Sequence, residues 1–246
     1  MVHRARGCVG GGGGTSGGYT MKKSRFSVAI DGPAGAGKST MARRVAQELG
    51  ILYVDTGAIY RTVGYHMWLY GIGPKDVDGV TRLLDDVNIQ IEHQPDGVQH
   101  MILNGKDVTD ELRTPEMSRY ASGVSSLPVV RAFLLDMQRQ LARKNSVVMD
   151  GRDIGTVVLP DADVKIFLTA SAEQRARRRY LELTQKGEQT TLAKVLEEMQ
   201  KRDKQDSTRA CAPLKPAKDA VLLDTSELDV EQSAQRILKI IREKLA

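Results

Sequence analysis

A glycine-rich octapeptide near the start of the chain has the residue types and spacing of a phosphate-binding loop. Residues 32–39 read Gly-Pro-Ala-Gly-Ala-Gly-Lys-Ser and match the P-loop pattern G-x-x-x-x-G-K-[ST]. Its glycines lack a Cβ, so the backbone can turn its amide groups toward phosphate oxygens. We expect Lys38 to reach the β- and γ-phosphates of a nucleoside triphosphate and the Ser39 hydroxyl to hold Mg²⁺. The predicted nucleotide-binding residues are Gly32, Pro33, Ala34, Gly35, Ala36, Gly37, Lys38, Ser39 and Thr40.

Five arginines spread along the chain suggest a second phosphorylated ligand. Arg61 falls one turn into a predicted helix, and Arg152 directly follows a predicted strand. Guanidinium groups bind phosphate through two parallel hydrogen bonds, so several arginines converging on one cleft suggest a second phosphate group. Taken singly, each of them is better explained as a solvated helix residue. The set is Arg61, Arg131, Arg152, Arg202 and Arg209.

A basic run at residues 175–179 is open to two interpretations. Arg175, Arg178 and Arg179 share one face of a helix by their spacing of three and four residues. Near a P-loop, these side chains could close over a transferring phosphate as a lid. An exposed basic face fits the same spacing equally well.

The composition narrows the function classes. The 246 residues are 41% hydrophobic and 27% charged, which suits one globular domain with a sizeable core, and no apolar run approaches the length of a membrane span. The two cysteines, Cys8 and Cys211, cannot form a disulfide framework, which fits a reducing cytosol. Aromatic residues are only 4% and do not alternate with basic ones, so RNA binding is not indicated. The net charge of +5 is explained as well by nucleotide substrates as by a polymer.

Residues 1–20 differ from the rest of the chain. They contain a run of glycines at 10–14 and no apolar periodicity, so they cannot bury enough surface to offset the entropy of ordering them. We expect a disordered tail that was added to the natural sequence, which would begin at Met21; a flexible native tail is the alternative.

The elements that position the chemistry alternate between strands and helices. Such a βαβα order predicts an α/β fold with a five-stranded, parallel, doubly wound sheet, whose ligands bind beyond the carboxyl ends of the strands. A hairpin inserted at 87–103 predicts a small antiparallel sheet. The predicted parallel strands are 27–30, 51–54, 147–149, 164–168 and 220–223, and the predicted helices are 40–49, 58–70, 76–87, 129–143, 171–186, 190–204 and 229–245.

Four separated motifs in this order resemble bacterial-type cytidylate kinases, a family of P-loop nucleoside monophosphate kinases. They are Ile30-Asp-Gly-Pro-Ala-Gly-Ala-Gly-Lys-Ser-Thr40, Asp55-Thr-Gly-Ala-Ile-Tyr-Arg61, Asp150-Gly-Arg-Asp-Ile-Gly-Thr-Val-Val158, and Arg202-Asp with Asp206 and Arg209-Ala. The resemblance runs from about Phe26 to the C-terminus. It implies a kinase domain at 21–246 with a core at 25–57, 124–170 and 206–246, a monophosphate-binding insertion at about 58–123 and a helical lid at about 171–205.

The resemblance also assigns roles by position. Lys38 and the loop amides would hold the ATP phosphates, and Lys38, Arg152, Arg178 and Arg209 would be catalytic. Arg61, Arg152 and Arg209 would grip the phosphate of CMP. Ser122, Arg131 and Asp153 would read the cytosine edge, and Arg202 and Asp206 would hold the sugar hydroxyls. Thr56 stands where many relatives carry serine, and Arg175 and Arg178 fall in the lid.

The reaction implied is in-line transfer of the γ-phosphoryl group of ATP, with Mg²⁺, to CMP or dCMP. The resemblance further suggests a cytoplasmic monomer with small-molecule substrates and no nucleic-acid or membrane partner. The nearest alternative is a P-loop kinase for UMP, AMP or shikimate. A nucleic-acid-dependent ATPase and a non-catalytic nucleotide sensor are more distant alternatives.

Overall fold

A computed structural model of the protein describes residues 25–94 and 98–246. The predicted tail at 1–20 and the predicted turn at 95–97 lie outside these residues. The strands are β1 Ser27–Asp31, β2 Leu52–Asp55, β3 Ile89–His93, β4 Gln99–Leu103, β5 Lys106–Asp107, β6 Val147–Gly151, β7 Val164–Thr169 and β8 Val221–Asp224. The helices are α1 Lys38–Leu49, α2 Thr56–Leu69, α3 Val77–Leu84, α4 Pro115–Val124, α5 Pro128–Lys144, α6 Ala172–Gln185, α7 Leu192–Thr208 and α8 Val230–Leu245, with a π-helical turn at Ile154–Val158.

The large sheet has the strand order β2-β6-β1-β7-β8, and every pairing in it is parallel. This confirms the predicted five-stranded, doubly wound sheet. β1 is central, and β6 is paired with it so that Asp31 lies opposite Gly151. The phosphate-binding loop after β1 and the segment after β6 therefore leave the sheet side by side.

Two apolar layers cover the sheet and explain why its central strands are buried on both faces. On one face, α1 and α8 contribute buried side chains that include Val45 and Ile237. On the other face, α2 and α5 contribute Ile59 and Leu134. Burying one such side chain stabilises the fold by about 1.5–3 kcal/mol, so these layers fix where the helix ends meet the sheet edge.

The segment between β2 and α5 contains the predicted small antiparallel sheet, with strand order β3-β4-β5. Helix α4, which was not predicted, packs against α2 in this segment. Gly64 permits the approach, because a Cβ there would lie 2.8 Å from the Cβ of Tyr120. The Thr114 hydroxyl caps α4 by accepting a hydrogen bond from the Met117 amide.

Helices α6 and α7 form an antiparallel pair beside the phosphate-binding loop. Their shared apolar contact comprises Ala176, Val195 and Met199, and the loop residue Ala34 packs against it. Within the described residues, no helix combines the length and apolar character needed to cross a membrane.

Candidate active site

The phosphate-binding loop is shaped by glycines that no other residue could replace without strain or displacement. Gly35 and Gly37 have φ values of +70° and +85° in the left-handed region, and Gly37 is the N-cap of α1. A Cβ on Gly32 would lie 2.0 Å from the carbonyl oxygen of Leu168 on β7. The loop thus ends at the N-terminus of α1, where free amide groups favour an anion.

Lys38 lies inside this loop. Its Nζ atom donates a hydrogen bond to the carbonyl oxygen of Pro33 at 2.7 Å, and the side chain is buried. Burial lowers the pKa of the Lys38 ammonium, with nearby Arg152 acting in the same direction and Asp150 opposing it. A phosphate in the loop would supply the negative charge that this buried cation lacks.

Asp150, at the end of β6, is bound to the loop. Its Oδ2 atom accepts a hydrogen bond from Ser39 Oγ at 2.8 Å, and its Oδ1 atom accepts one from the Tyr53 hydroxyl at 3.0 Å. Burial raises the pKa of the Asp150 carboxyl, and Asp55 adds to this effect. A carboxylate and a hydroxyl are the oxygen ligands that suit Mg²⁺. Within the described residues, no group of three or more His, Cys, Asp or Glu side chains could hold a metal ion.

Asp31 holds the segment after β6 in place. Its carboxylate accepts hydrogen bonds from the amides of Ile154 and Gly155, each at 2.7 Å. Burial raises the pKa of Asp31 to about 6, and these two amides counteract it. Because Asp31 ends the central strand, its carboxylate fixes the position of Asp153 relative to the phosphate-binding loop.

A buried acid between two arginines forms the centre of a second site. Asp153 accepts hydrogen bonds from Arg131 and, at 3.3 Å, from Arg209. Burial raises the pKa of the Asp153 carboxyl, whereas Arg131 and Arg209 lower it. Ser125, which was not among the predicted residues, joins the cluster through its carbonyl oxygen, 3.2 Å from Arg131, and its hydroxyl, 3.5 Å from Arg209.

Ser122 lies next to this cluster on α4. Its carbonyl oxygen accepts a hydrogen bond from the Ser125 hydroxyl at 3.2 Å. Its own hydroxyl is buried and has no hydrogen-bond partner in the described part of the chain. Since buried polar groups are nearly always paired, this hydroxyl is available to a ligand.

Arg152, Arg202 and Asp206 form a third group between the loop and the acid cluster. Arg152 Nε donates a hydrogen bond to Asp206 Oδ2 at 2.9 Å. Burial lowers the pKa of Arg202 to about 10, and the charge of Arg152 adds to the effect. The Nε atom of Arg202 is buried without a hydrogen-bond partner among the described residues. This excess of buried positive charge suits an anionic ligand.

Arg61 and Thr56 lie at the start of α2, on the neighbouring strand end. Arg61 pairs with Asp55 at 2.8 Å, and Thr56 donates its hydroxyl hydrogen bond to the Asp150 carbonyl oxygen at 2.7 Å. Gln99, another residue that was not predicted, accepts a hydrogen bond from the Asp55 amide at 2.8 Å and so ties β4 to β2.

The arginines of α6 have separate environments, although they share a helix face. Arg175 is buried and binds the carbonyl oxygen of Ala34 at 3.0 Å and Asp203 at 2.6 Å. Arg178 donates to the carbonyl oxygen of Thr225 at 2.8 Å, and its Nη1 atom lies 4.0 Å from where a Cβ on Gly37 would be. Arg179 pairs with Glu182 at 3.0 Å on the exposed side.

The structure therefore brings the predicted site residues to one edge of the large sheet. Arg152 and Arg202 lie close enough to Lys38 in the phosphate-binding loop to lower its pKa, and the other arginines surround Arg202 and Asp153. Five residues to which the sequence assigned no role connect these groups: Asp31, Tyr53, Gln99, Ser125 and Asp150. Of these, Asp31 and Asp150 belong to motifs recognised in the sequence. The position of Asp150, directly after the apolar run of β6, could have identified it from the sequence. The contacts of Tyr53 and Gln99 depend on tertiary structure.

Comparison with known proteins gives one consistent family. A family model described as cytidylate kinase matches residues 28–243. A curated cytidylate kinase of Caldicellulosiruptor bescii is 49% identical over 220 residues, covering 89% of this chain and 96% of that protein. The cytidylate kinase of Desulfitobacterium hafniense is 48% identical, covering 92% of this chain and 96% of that protein. The cytidylate kinase of Geobacillus kaustophilus is 47% identical, covering 91% and 99%.

Proposed function

The chain belongs to the cytidylate kinase family, ATP-dependent kinases of CMP or dCMP, and we propose that its cleft performs this reaction with the residues described above. One observation carries the proposal: the phosphate-binding loop after β1 lies beside Asp153, a buried carboxylate held by Arg131 and Arg209. A donor phosphate site and a site able to read a base thus share one edge of the sheet.

On the donor side, the amides of residues 32–40 and the ammonium of Lys38 hold the phosphates of ATP. Ser39 and Asp150 are the residues that would hold Mg²⁺, and their oxygen atoms fit its preferences. When bound, Mg²⁺ would neutralise charge on the phosphate oxygens. Lys38 supplies a further positive charge that water does not screen, because its side chain is buried.

On the acceptor side, we assign the phosphate of CMP to Arg61, Arg152 and Arg209. Each guanidinium is at present paired with a carboxylate, namely Asp55, Asp206 and Asp153. An incoming phosphate would share these arginines and draw on the surplus positive charge around Arg202. Thr56 contributes a hydroxyl at the same strand end.

Recognition of cytosine is assigned to Ser122, Arg131 and Asp153. A carboxylate accepts a hydrogen bond from the exocyclic amine of cytosine, whereas uracil presents a carbonyl oxygen there that Asp153 would repel. Arg131 donates a hydrogen bond to Asp153 and lowers the pKa of its carboxyl against the larger effect of burial, and the unpaired Ser122 hydroxyl offers a further contact. Arg202 and Asp206 are assigned to the sugar hydroxyls.

The acceptor phosphate is itself a nucleophile, so the transfer needs no general base. The protein orients the two phosphates in line and excludes water, which would otherwise accept the phosphoryl group. We propose that the insertion at about 58–123 and the lid at about 171–205 close for this purpose around the core. Arg178, beside Gly37, then lies near the transferring group as a catalytic arginine.

We also propose that the protein is a cytoplasmic monomer that acts on free nucleotides and not on nucleic acid. A single chain suffices for the assigned site, because no residue assigned to ATP or CMP has to come from a second copy. Light scattering coupled to size-exclusion chromatography tests the mass of the particle in solution.

The decisive experiment is ADP production from ATP and Mg²⁺ with a panel of CMP, dCMP, UMP, AMP, GMP and shikimate, and with RNA as a control. We expect strong turnover with CMP and dCMP and little with the purine monophosphates or shikimate. Turnover that requires RNA, or that proceeds equally without an acceptor, would overturn the acceptor-site assignments.

A further inference from the structure

The hydroxyl of Tyr53 makes a contact that the reaction as described does not use. Tyr53 lies on β2 and is 4% exposed. Its hydroxyl donates to Asp150 Oδ1 at 3.0 Å, while Ser39 Oγ donates to Asp150 Oδ2 at 2.8 Å. Each oxygen of this buried carboxylate is therefore bound by one hydroxyl, one from the phosphate-binding loop and one from the neighbouring strand.

This two-sided contact fixes the carboxylate. The terminal torsion of an aspartate side chain has a broad, two-fold energy profile, so packing alone holds its plane weakly. Hydrogen bonds to both oxygens restrict that rotation and keep Oδ2 facing Ser39. Without the phenol, Oδ1 of a buried carboxylate would lose its donor, and the carboxylate would turn to recover one.

The phenol is itself held by groups outside the phosphate-binding loop. The guanidinium carbon of Arg43 lies 5.7 Å from the centroid of the Tyr53 ring, within the range of a cation–π contact. The Tyr53 carbonyl oxygen is 2.9 Å from His93 Nε2 on β3. Tyr53 is thus positioned by the core and by the inserted sheet, and it can impose an orientation on Asp150.

We propose that Tyr53 is a positioning residue for metal binding, which holds the Asp150 carboxylate beside Ser39, the two residues that would hold Mg²⁺. This inference rests on the proposed function, in which Ser39 and Asp150 hold Mg²⁺. It assigns Tyr53 no contact with either nucleotide.

The test is Tyr53→Phe, which removes the hydroxyl and keeps the ring. Calorimetric titration with ADP, with and without Mg²⁺, gives the increase in nucleotide affinity that the metal provides. We expect this increase to fall by roughly 10- to 100-fold, the size of one lost hydrogen bond to a charged group, with ADP affinity in the absence of metal unchanged. Electron paramagnetic resonance of Mn²⁺ with ADP should show the same weakening directly.

Tyr65→Phe is the matched control. This buried phenol lies on α2, its ring stacks on Trp68 with centroids 5.8 Å apart, and its hydroxyl makes no hydrogen bond within the described residues. We expect no change in the metal-dependent affinity. A second measurement places Tyr53→Phe in an Asp150→Asn background, where its effect should largely disappear if Tyr53 acts through Asp150.

Two results would overturn the inference. One is an unchanged metal-dependent affinity in Tyr53→Phe; the other is an equal loss of ADP affinity with and without metal, which would make Tyr53 a structural residue of the site. Failure of the proposed function is distinguishable, because it would appear in the wild-type protein as an absence of CMP phosphorylation.

Discussion

The guanidinium of Arg175 donates a hydrogen bond to the carbonyl oxygen of Ala34 at 3.0 Å, so α6 is bound to the backbone of the phosphate-binding loop. The same guanidinium binds Asp203 on α7 at 2.6 Å. Arg175 therefore links both helices of the pair to the loop, and its donors face protein atoms instead of a phosphate. Of the arginines that share this helix face, Arg178 is the one beside the loop that remains suited to contact ATP.

Removing the carboxylate of Asp206 should weaken binding of the acceptor selectively. Arg152 loses its partner at 2.9 Å, and the assigned contact with the sugar hydroxyls is lost. We expect Asp206→Ala to raise KM for CMP by roughly 10- to 100-fold, as for a lost charged hydrogen bond, with KM for ATP changed by less than about 3-fold. Steady-state kinetics with each substrate varied in turn measures both constants.

The control for this substitution is Asp203→Ala, on the same helix. Asp203 pairs with Arg175, so its loss should disturb the contact with Ala34 and act mainly on KM for ATP. Equal effects of Asp206→Ala on both substrates would mean that Asp206 has been placed in the wrong site.

Loss of the Lys38 ammonium should reduce turnover severely. The side chain is buried in the loop, and in the proposed reaction it provides positive charge where the transition state gathers negative charge. We expect Lys38→Ala to lower kcat by at least about 10²- to 10³-fold, as for loss of a charge-stabilising donor. The matched variant is Lys165→Ala, since Lys165 is also buried and also donates to a proline carbonyl oxygen, that of Pro160, but lies outside the cleft. Near-normal kcat in Lys38→Ala would contradict the assignment of the loop.

Much of this site was predictable from the sequence because its signals are local. The phosphate-binding loop is continuous, and Asp150, Arg152 and Asp153 follow a recognisable strand. Since carboxyl ends of parallel strands meet at one edge, the convergence of these segments followed from the fold class. The five-stranded parallel sheet is confirmed, whereas the roles of individual residues remain predictions.

The contacts that were not predicted depend on which strands are neighbours. Ser39 and Asp150 are 111 residues apart, and their hydrogen bond exists because β6 lies between β1 and β2. No local pattern encodes this strand order. Helix α4 is different, since Met117, Ala121 and Val124 are buried at helical spacing and the signal was present among its polar residues. The spacing of Arg175, Arg178 and Arg179 predicted that they share one helix face. It did not predict that the Arg175 guanidinium donates a hydrogen bond to the Ala34 carbonyl oxygen.

Neutralising Asp153 should reduce discrimination between cytosine and uracil. An amide in its place can present an N–H group to the uracil carbonyl oxygen, whereas the carboxylate can only accept. We expect Asp153→Asn to narrow the ratio of kcat/KM for CMP over UMP by at least about 10-fold, mostly through loss of activity on CMP. Asp153 is buried between Arg131 and Arg209, so the substitution can also unfold part of the protein. The ratio of the two kcat/KM values does not depend on the fraction of enzyme that is folded and active. An unchanged ratio would remove Asp153 from the base-reading set.

His66 should make the stability of the protein depend on pH. Its ring is buried in α2, its Nε2 atom has no hydrogen-bond partner within the described residues, and burial lowers its pKa from 6.5, with Asp86 opposing. As the pH falls below 6.5, His66 takes up a proton in the unfolded chain but stays neutral in the folded chain. The free energy of unfolding therefore decreases as the pH falls, until the pH passes below the lowered pKa of His66 in the folded protein. Urea unfolding at about pH 7.5 and 5.5 should show a smaller decrease in His66→Phe than in the wild type. The ring contact with Tyr70, at 4.9 Å, can be kept by phenylalanine. Equal decreases in both proteins would show that other groups control this range.

A methyl group on Gly35 should uncouple the helical pair from the phosphate-binding loop. A Cβ there would lie 2.6 Å from the terminal methyl of Met199 on α7 and 3.2 Å from the carbonyl oxygen of Arg175 on α6. The Met199 methyl ends a flexible side chain and can rotate away, whereas the backbone of α6 at Arg175 has to shift by a few tenths of an ångström. We expect this shift to lengthen the contact of Arg175 with Ala34. We expect Gly35→Ala to raise KM for ATP by at least about 10-fold, equivalent to about 1.4 kcal/mol of binding free energy.

Gly50→Ala separates this crowding from backbone strain. Gly50 also has a left-handed φ, +62°, but a Cβ there would meet nothing within 4 Å among the described residues. We expect it to destabilise the fold by about 1–2 kcal/mol through strain alone, with KM for ATP unchanged. The φ values of the two glycines are similar, so both variants carry similar backbone strain. If KM for ATP rises equally in both, strain is the cause, and the contact between the loop and the helical pair is not. If the contact of Arg175 with Ala34 is the cause, KM for ATP should rise only in Gly35→Ala. The amides of α6 should then also be less protected from hydrogen exchange in that variant.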